Sequence, residues 1–309
     1  MTTDTEAEQD VVTVLCWNVE HNGHDLKDGS DHRRHRAYDI LAEHKPDLVF
    51  RQELTGADAD GGRELYEEGN RLGLSAYMAP VTPESRNPNG VFLSNELFQV
   101  EALYAPAPAG RAFCNPLVRL KDRAGRPSAQ ALSLASVHLS FYDPASRARE
   151  AKRLTALGSP GRVALIGGDM NSYPHTEMEL AALPDWQHTA DASHFEHRTI
   201  ERDGRRVPDT LPDEILAGGH QVFIEAGHYA ATTLPLKQPG ALDPTASLWR
   251  KDQGPMQRID RIYFSPVLAP ALLSFEAIAD DDIREVSDHA LLKATFGRDA
   301  FFRALTPAA

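Results

Sequence analysis

The sequence predicts an α/β sandwich, and three observations carry that expectation. Apolar runs of strand length recur along the chain. Stretches of helical period lie between them. The runs end on Asn, Asp, Glu or His at six separate places, as strands do when they deliver polar groups to one edge of a sheet.

Taken in order, Val12-Thr13-Val14-Leu15-Cys16-Trp17 is a strand that delivers Asn18 and Glu20, an i, i+2 pair. His32 to His44 carries Ala37, Ile40 and Leu41 at helical spacing, and Lys45-Pro46-Asp47 ends it. Asp47-Leu48-Val49-Phe50 is the next strand and runs through Arg51-Gln52 into Glu53. Thr82 to Asn89 and Ala105 to Pro116 are polar or Pro-rich and predict loops. The apolar run from Ala131 to Val137 leads into His138-Leu139. Ser146 to Leu157 is helical, with Ala148, Ala151, Leu154 and Leu157 on one face.

Arg162-Val163-Ala164-Leu165-Ile166 is a buried strand, followed by Gly167-Gly168-Asp169-Met170-Asn171. The spacing of Asp169 and Asn171 points a carboxylate and an amide to the same side, a pair suited to activating a water and holding a phosphate oxygen. Phe195 to Asp213 and Thr232 to Gly254 look irregular, and loops that long are often functional. Arg258-Ile259-Asp260-Arg261-Ile262-Tyr263-Phe264 alternates as a half-buried strand does, with Asp260 on its polar side. Ser287-Asp288-His289 precedes the last strand, Ala290 to Phe296.

These motifs, in this order, resemble the endonuclease/exonuclease/phosphatase superfamily. They are Trp17-Asn18-Val19-Glu20, Gln52-Glu53, His138-Leu139, Gly168-Asp169-Met170-Asn171, Arg258-Ile259-Asp260-Arg261-Ile262 and Ser287-Asp288-His289. The superfamily includes pancreatic-type deoxyribonuclease, apurinic endonucleases, deadenylases, sphingomyelinases and inositol polyphosphate phosphatases. The resemblance runs from about Val11 to Phe296. It implies a four-layered α/β/β/α sandwich, with two mixed sheets face to face and helices outside.

It also implies roles. Glu53 would be the principal ligand of Mg²⁺, or alternatively Mn²⁺, with Asp288 and Glu20 near it and Asn18 touching it directly or through a water. Asp169 would orient or deprotonate the attacking water, and Asn171 would hold that water or the phosphate. His289 would offer a proton to the phosphate oxygens, with Asp260 fixing its tautomer. His138 resembles the deoxyribonuclease, sphingomyelinase and deadenylase branches and would add a second imidazole at the phosphate. Several relatives carry Asp where Glu20 stands, which leaves one-metal and two-metal arrangements open.

Length and composition fit one catalytic domain at 11–298, with an acidic, disordered tail at 1–10 and a C-terminal tail at 299–309. Two cysteines, Cys16 and Cys114, exclude a disulfide framework and are expected as small buried hydrophobes in a reducing, cytoplasmic setting. No signal peptide or membrane-inserting segment is readable, nor any protein partner. The 45 acidic residues exceed the 32 basic ones, for a net charge of −13, which argues against a broad basic face for duplex DNA. Arg33, Arg34 and Arg36, or Arg202, Arg205 and Arg206, are the clusters that would supply a local one.

His21, His24, His32 and His35 are expected at the surface or rim rather than around zinc, since no cysteine joins them. His188, His194 and His197 show no ligand pattern. Because Glu53, Asp169 and His289 are all present, an enzyme is favoured over a noncatalytic phosphate-binding module. A nuclease acting on DNA or RNA is the first expectation. A hydrolase of a phosphorylated metabolite or lipid headgroup is the alternative.

Overall fold

The computed structural model describes residues 10–307 apart from 26, 84, 105–111, 182, 184–185, 187–190 and 251–253. In chain order the first strands are β1 (Val11–Asn18), β2 (Leu48–Gln52), β3 (Ser75–Met78), β4 (Gly90–Leu93), β5 (Phe98–Tyr104), β6 (Asn115–Leu120) and β7 (Leu132–His138). The rest are β8 (Val163–Asp169), β9 (Thr199–Arg202), β10 (Arg205–Pro208), β11 (Ile224–Glu225), β12 (Asp260–Phe264), β13 (Leu272–Ile278) and β14 (Leu291–Gly297). They form two mixed six-stranded sheets, ordered β13-β14-β1-β2-β4-β3 and β11-β12-β8-β7-β6-β5, with β9 and β10 as a separate hairpin.

Alternation along the strands sorts side chains into layers. Val12, Val14 and Cys16 of β1 face inward with Phe50, and meet Leu134, Leu165 and Ile262 of the other sheet in one cluster. Leu15 and Trp17 face outward onto Ala37, Ile40 and Leu41 of the helix His32–Glu43 and Ile283 of the helix Asp281–Val286. Ala135, Val137, Ala164 and Ile166 do the same against Ala151 and Leu154 of the helix Pro144–Leu154. The result is the expected four-layered sandwich. Fully burying a side chain such as Phe50 or Leu165 stabilises by roughly 1.5–3 kcal/mol, so the contact between sheets dominates the fold.

The centre of each sheet is parallel. β1 runs beside β2, and β7 beside β8 with His138 opposite Asp169, so their carboxyl ends open on one edge. β12 is antiparallel to β8 and starts where β8 ends, pairing Asp260 with Asp169. Gly167 and Gly168 permit this packing. A Cβ on Gly167 would stand 2.4 Å from the Phe50 ring, and one on Gly168 would stand 1.9 Å from the Val137 carbonyl oxygen.

Several expectations need correction. Residues 195–213 are ordered secondary structure: the helix Ala192–Arg198, the β9–β10 hairpin and the start of the helix Leu211–Ala217. Residues 299–309 are not simply a tail, because the helix Arg298–Ala304 and Leu305 put Phe301 and Leu305 into the main core. The helix expected to reach Leu157 tightens into a 3₁₀ turn at Thr155–Gly158. Pro116 lies in β6 rather than in a loop.

β12 is buried along its whole length, not half-buried. The charges are neutralised inside, Arg258 just before the strand by Glu179 and Glu225, and Arg261 within it by Asp213. Burial of charged groups by pairing removes the polar face that the alternation implied.

Cys16 and Cys114 are buried and unpaired in a disulfide sense. Among the described residues no helix is long and apolar enough to cross a membrane. Of the expected tail at 1–10, residues 1–9 lie outside the described residues, as do residues 105–111 of the expected loop at 105–116 and His188.

Candidate active site

Eight of the nine expected residues meet where the strands open. Asp169 is the hub. Its Oδ2 accepts from Asn18 Nδ2 at 3.2 Å and lies 3.5 Å from His138 Nε2 and 4.0 Å from His289 Nε2. Its Oδ1 accepts from the Asn171 backbone N–H at 2.9 Å. Burial by itself would raise the Asp169 pKa, but the charges of His138, His289 and Arg198 and the Asn171 N–H outweigh it and hold the carboxyl below its ordinary value.

His289 is oriented from behind. Its Nδ1 is 2.9 Å from Asp260 Oδ2, its backbone carbonyl accepts from Trp17 Nε1 at 3.0 Å, and its backbone N–H donates to Ser287 Oγ at 3.1 Å. Burial pushes the His289 pKa down, yet the surrounding carboxylates, Asp260 foremost, lift it well above its ordinary value. Asp260 itself is raised to about 6, by burial first and by the charge of Asp169, against the pull of His289. The pair is therefore an imidazolium held by a carboxylate at neutral pH.

Glu53 and Asn171 both adopt left-handed backbone, with φ of 56° and 49°. Strain of this kind costs on the order of 1–3 kcal/mol and is tolerated where the surroundings fix a side chain's direction. Glu53 Oε2 accepts from the His21 N–H at 2.9 Å, and its Oε1 lies 3.9 Å from His138 Nδ1. Asn171 Nδ2 donates to the Leu139 carbonyl at 3.0 Å, and Asn171 Oδ1 accepts from Arg198 Nη1 at 2.7 Å. One amide N–H of Asn171 remains beyond these contacts.

Glu53, His138, Asp169, Asn171, Asp288 and His289 line a cleft of about 370 Å³, with Asn18 and Asp260 behind the lining. Glu20 lines the same cleft but is the exception to the network, because Arg250 and Arg33 hold its carboxylate. Among the described residues, Asp169, Asp260 and His289 form a group of possible metal ligands, with atoms all within 4.8 Å of one another. His289 Nδ1 already meets Asp260, so this set is better satisfied by a proton than by a cation.

The donors expected for magnesium are of the oxygen type a hard cation takes, although the Glu20 carboxylate is held by Arg250 and Arg33. Glu53, Asp288 and Glu20 offer carboxylate oxygens, and buried Asn18 Oδ1 has no hydrogen-bond partner among the described residues.

Arg198, His194 and Arg250 also line the cleft and were not singled out by sequence as part of the site. An arginine in a polar stretch gives no periodic signal, and only the contact with Asn171 reveals Arg198. The expected basic clusters are largely neutralised. Arg34 pairs with Asp31 and Glu67, Arg36 with Glu43 and Asp282, Arg202 with Glu214 and Arg206 with Glu196. His32 is exposed, while His24 meets Glu64 and His35 meets Asp31.

Solved structures share the fold across nearly the whole chain. An endonuclease/exonuclease/phosphatase from Bacteroides vulgatus is 15% identical with a TM-score of 0.62, covering 92% of this chain and 98% of its own. Truncated Caenorhabditis elegans TDP2 is 18% identical with a TM-score of 0.55, covering 93% and 98%. A mannosyl-6-phosphatase from Bacteroides thetaiotaomicron is 15% identical with a TM-score of 0.56, covering 92% and 98%. Comparison with curated proteins gives no significant match. The model of the Endonuclease/Exonuclease/phosphatase family matches residues 15–289, which include all nine expected site residues, and the chain belongs to that family.

Proposed function

We propose that the protein is a divalent-metal-dependent phosphodiesterase of nuclease type, acting on short or single-stranded nucleic acid. The observation that carries this reading is the convergence of His138 and His289 on Asp169, beside Glu53 and Asp288 in one cleft. A phosphodiester anion repels an incoming hydroxide and has a poor leaving group, so a site that cuts it needs a base, a proton donor and positive charge together.

Glu53 and Asp288, with Glu20 and Asn18, would hold Mg²⁺ or alternatively Mn²⁺. When bound, that ion supplies Lewis-acid stabilisation of a phosphate oxygen. Asp169, ionised at neutral pH, orients the attacking water and takes its proton. His289 presents its Nε2 proton to the phosphate oxygens while Asp260 holds Nδ1. His138 adds a second imidazole, and Asn171, aligned by Arg198, offers its remaining N–H.

The paired arginines favour a short or single strand over duplex DNA, because a long duplex is gripped mainly through cationic contacts to many phosphates. The same observation favours a second reading, a hydrolase of a small phosphorylated compound. Incubation with Mg²⁺ against single-stranded oligonucleotide, plasmid, sphingomyelin and sugar phosphates separates the two. Cleavage of the oligonucleotide with identifiable ends supports the first reading, and release of phosphate from a sugar phosphate alone supports the second.

A further inference from the structure

A second hollow of about 570 Å³ adjoins the catalytic cleft and shares Glu20, His21 and Arg250 with it. Its remaining wall includes Lys27, Asp25, Glu285 and Trp249. Trp249 is 46% exposed, whereas Trp17 and Trp186 are 0% and 2% exposed, so one indole of three stands in solvent, and it stands at this hollow. The Arg250 guanidinium carbon lies 5.7 Å from the centre of the Trp249 ring, while Arg250 Nη1 meets Glu20. The arginine thereby ties the indole to the wall between the two hollows.

An exposed indole leaves a large flat apolar face in water that a second flat ring can cover, and aromatic side chains at a cleft are a common means of gripping such rings. The hollow's charges are mixed. Arg250 and Arg33 are already engaged with Glu20, and Asp25 and Glu285 add negative charge. That balance disfavours a further phosphate, and it supplies both acceptors and donors for the edge of a heterocycle.

We infer that this second hollow is a nucleobase subsite, with Trp249 stacking on the base next to the scissile phosphate. Trp249 is here a specificity-determining residue, because it touches the substrate away from the reacting atoms. The inference rests on the phosphodiesterase reading and names its substrate: a nucleotide unit rather than a sugar phosphate. Phe141, 49% exposed in the catalytic cleft itself, provides a second aromatic surface on the same route.

The test reads binding without turnover. A five-nucleotide phosphorothioate strand is titrated into the full chain while indole emission is followed, with mannose 6-phosphate and inorganic phosphate as comparison ligands. Saturable quenching by the strand and none by the other two is expected. By anisotropy of a labelled strand, Trp249→Ala should bind about tenfold more weakly and Trp249→Phe nearly as well as the parent. Equal quenching by mannose 6-phosphate, or an unaltered affinity in Trp249→Ala with its circular dichroism intact, overturns the subsite. Absence of hydrolysis with any divalent metal counts against the phosphodiesterase reading alone, since these binding results do not depend on it.

Discussion

Asp260 grips His289 through Nδ1 at 2.9 Å, and the arginines on either side of Asp260 are satisfied elsewhere, Arg258 by Glu179 and Glu225 and Arg261 by Asp213. The carboxylate is thus committed to the imidazole. Asp260→Asn should lower the imidazolium pKa and move the alkaline limb of the pH–rate profile to lower pH. In the parent enzyme the acid limb should lie above the ordinary carboxylate range, where Asp260, raised by burial and by the charge of Asp169, takes up a proton and releases the ring. His289→Ala should lose about as much rate as Asp260→Asn, and the double variant little more. Fully additive losses in that cycle would mean independent roles.

Asp169→Asn keeps the shape of the hub and removes its charge. Turnover should fall by about a hundredfold or more with substrate affinity retained. Near-parental turnover, measured on protein with an unchanged melting temperature, would assign the base to another group.

Arg198 should behave as a positioning residue. It donates to Asn171 Oδ1 at 2.7 Å and also to the Asn171 carbonyl at 3.1 Å. Arg198→Met should lower kcat by about tenfold with a smaller change in KM, and Arg198→Lys should restore part of the loss, since one charged donor survives. Equal losses in both variants, or a change in KM alone, would point to direct substrate contact instead.

Gly168→Ala tests the close packing of β7 and β8. The added Cβ would fall 1.9 Å from the Val137 carbonyl oxygen, which is backbone and cannot rotate away. Destabilisation of about 3 kcal/mol or more is expected, seen as a lower denaturant midpoint. Unchanged stability would contradict the strand spacing described above.

The sequence revealed those parts of the fold that depend on unbroken apolar runs. β1, β2, β7, β8 and β14 have buried centres, and their carboxyl-end residues could be located to within a residue or two. The hairpin β9–β10 is not legible in the sequence because its four-residue strands, Thr-Ile-Glu-Arg and Arg-Arg-Val-Pro, are too short and charged to show a period. Helix Arg298–Ala304 is illegible for a similar reason, since it buries only Phe301. In the site, residues at strand ends were legible and residues reaching in from the rim were not. Glu20 illustrates the limit: its spacing from Asn18 indicated the cleft, but Arg250, 230 residues away in sequence, sets what its carboxylate touches.

The most direct test of the account is cleavage of a single-stranded oligonucleotide by the full chain, measured in Mg²⁺ and in excess EDTA, with Glu53→Gln alongside. Hydrolysis that requires the metal, stops with the chelator and is largely lost in a folded Glu53→Gln protein is the predicted result. Full turnover in EDTA, or parental turnover and metal dependence in Glu53→Gln, would contradict the assignment of this cleft as a metal-dependent phosphodiesterase centre.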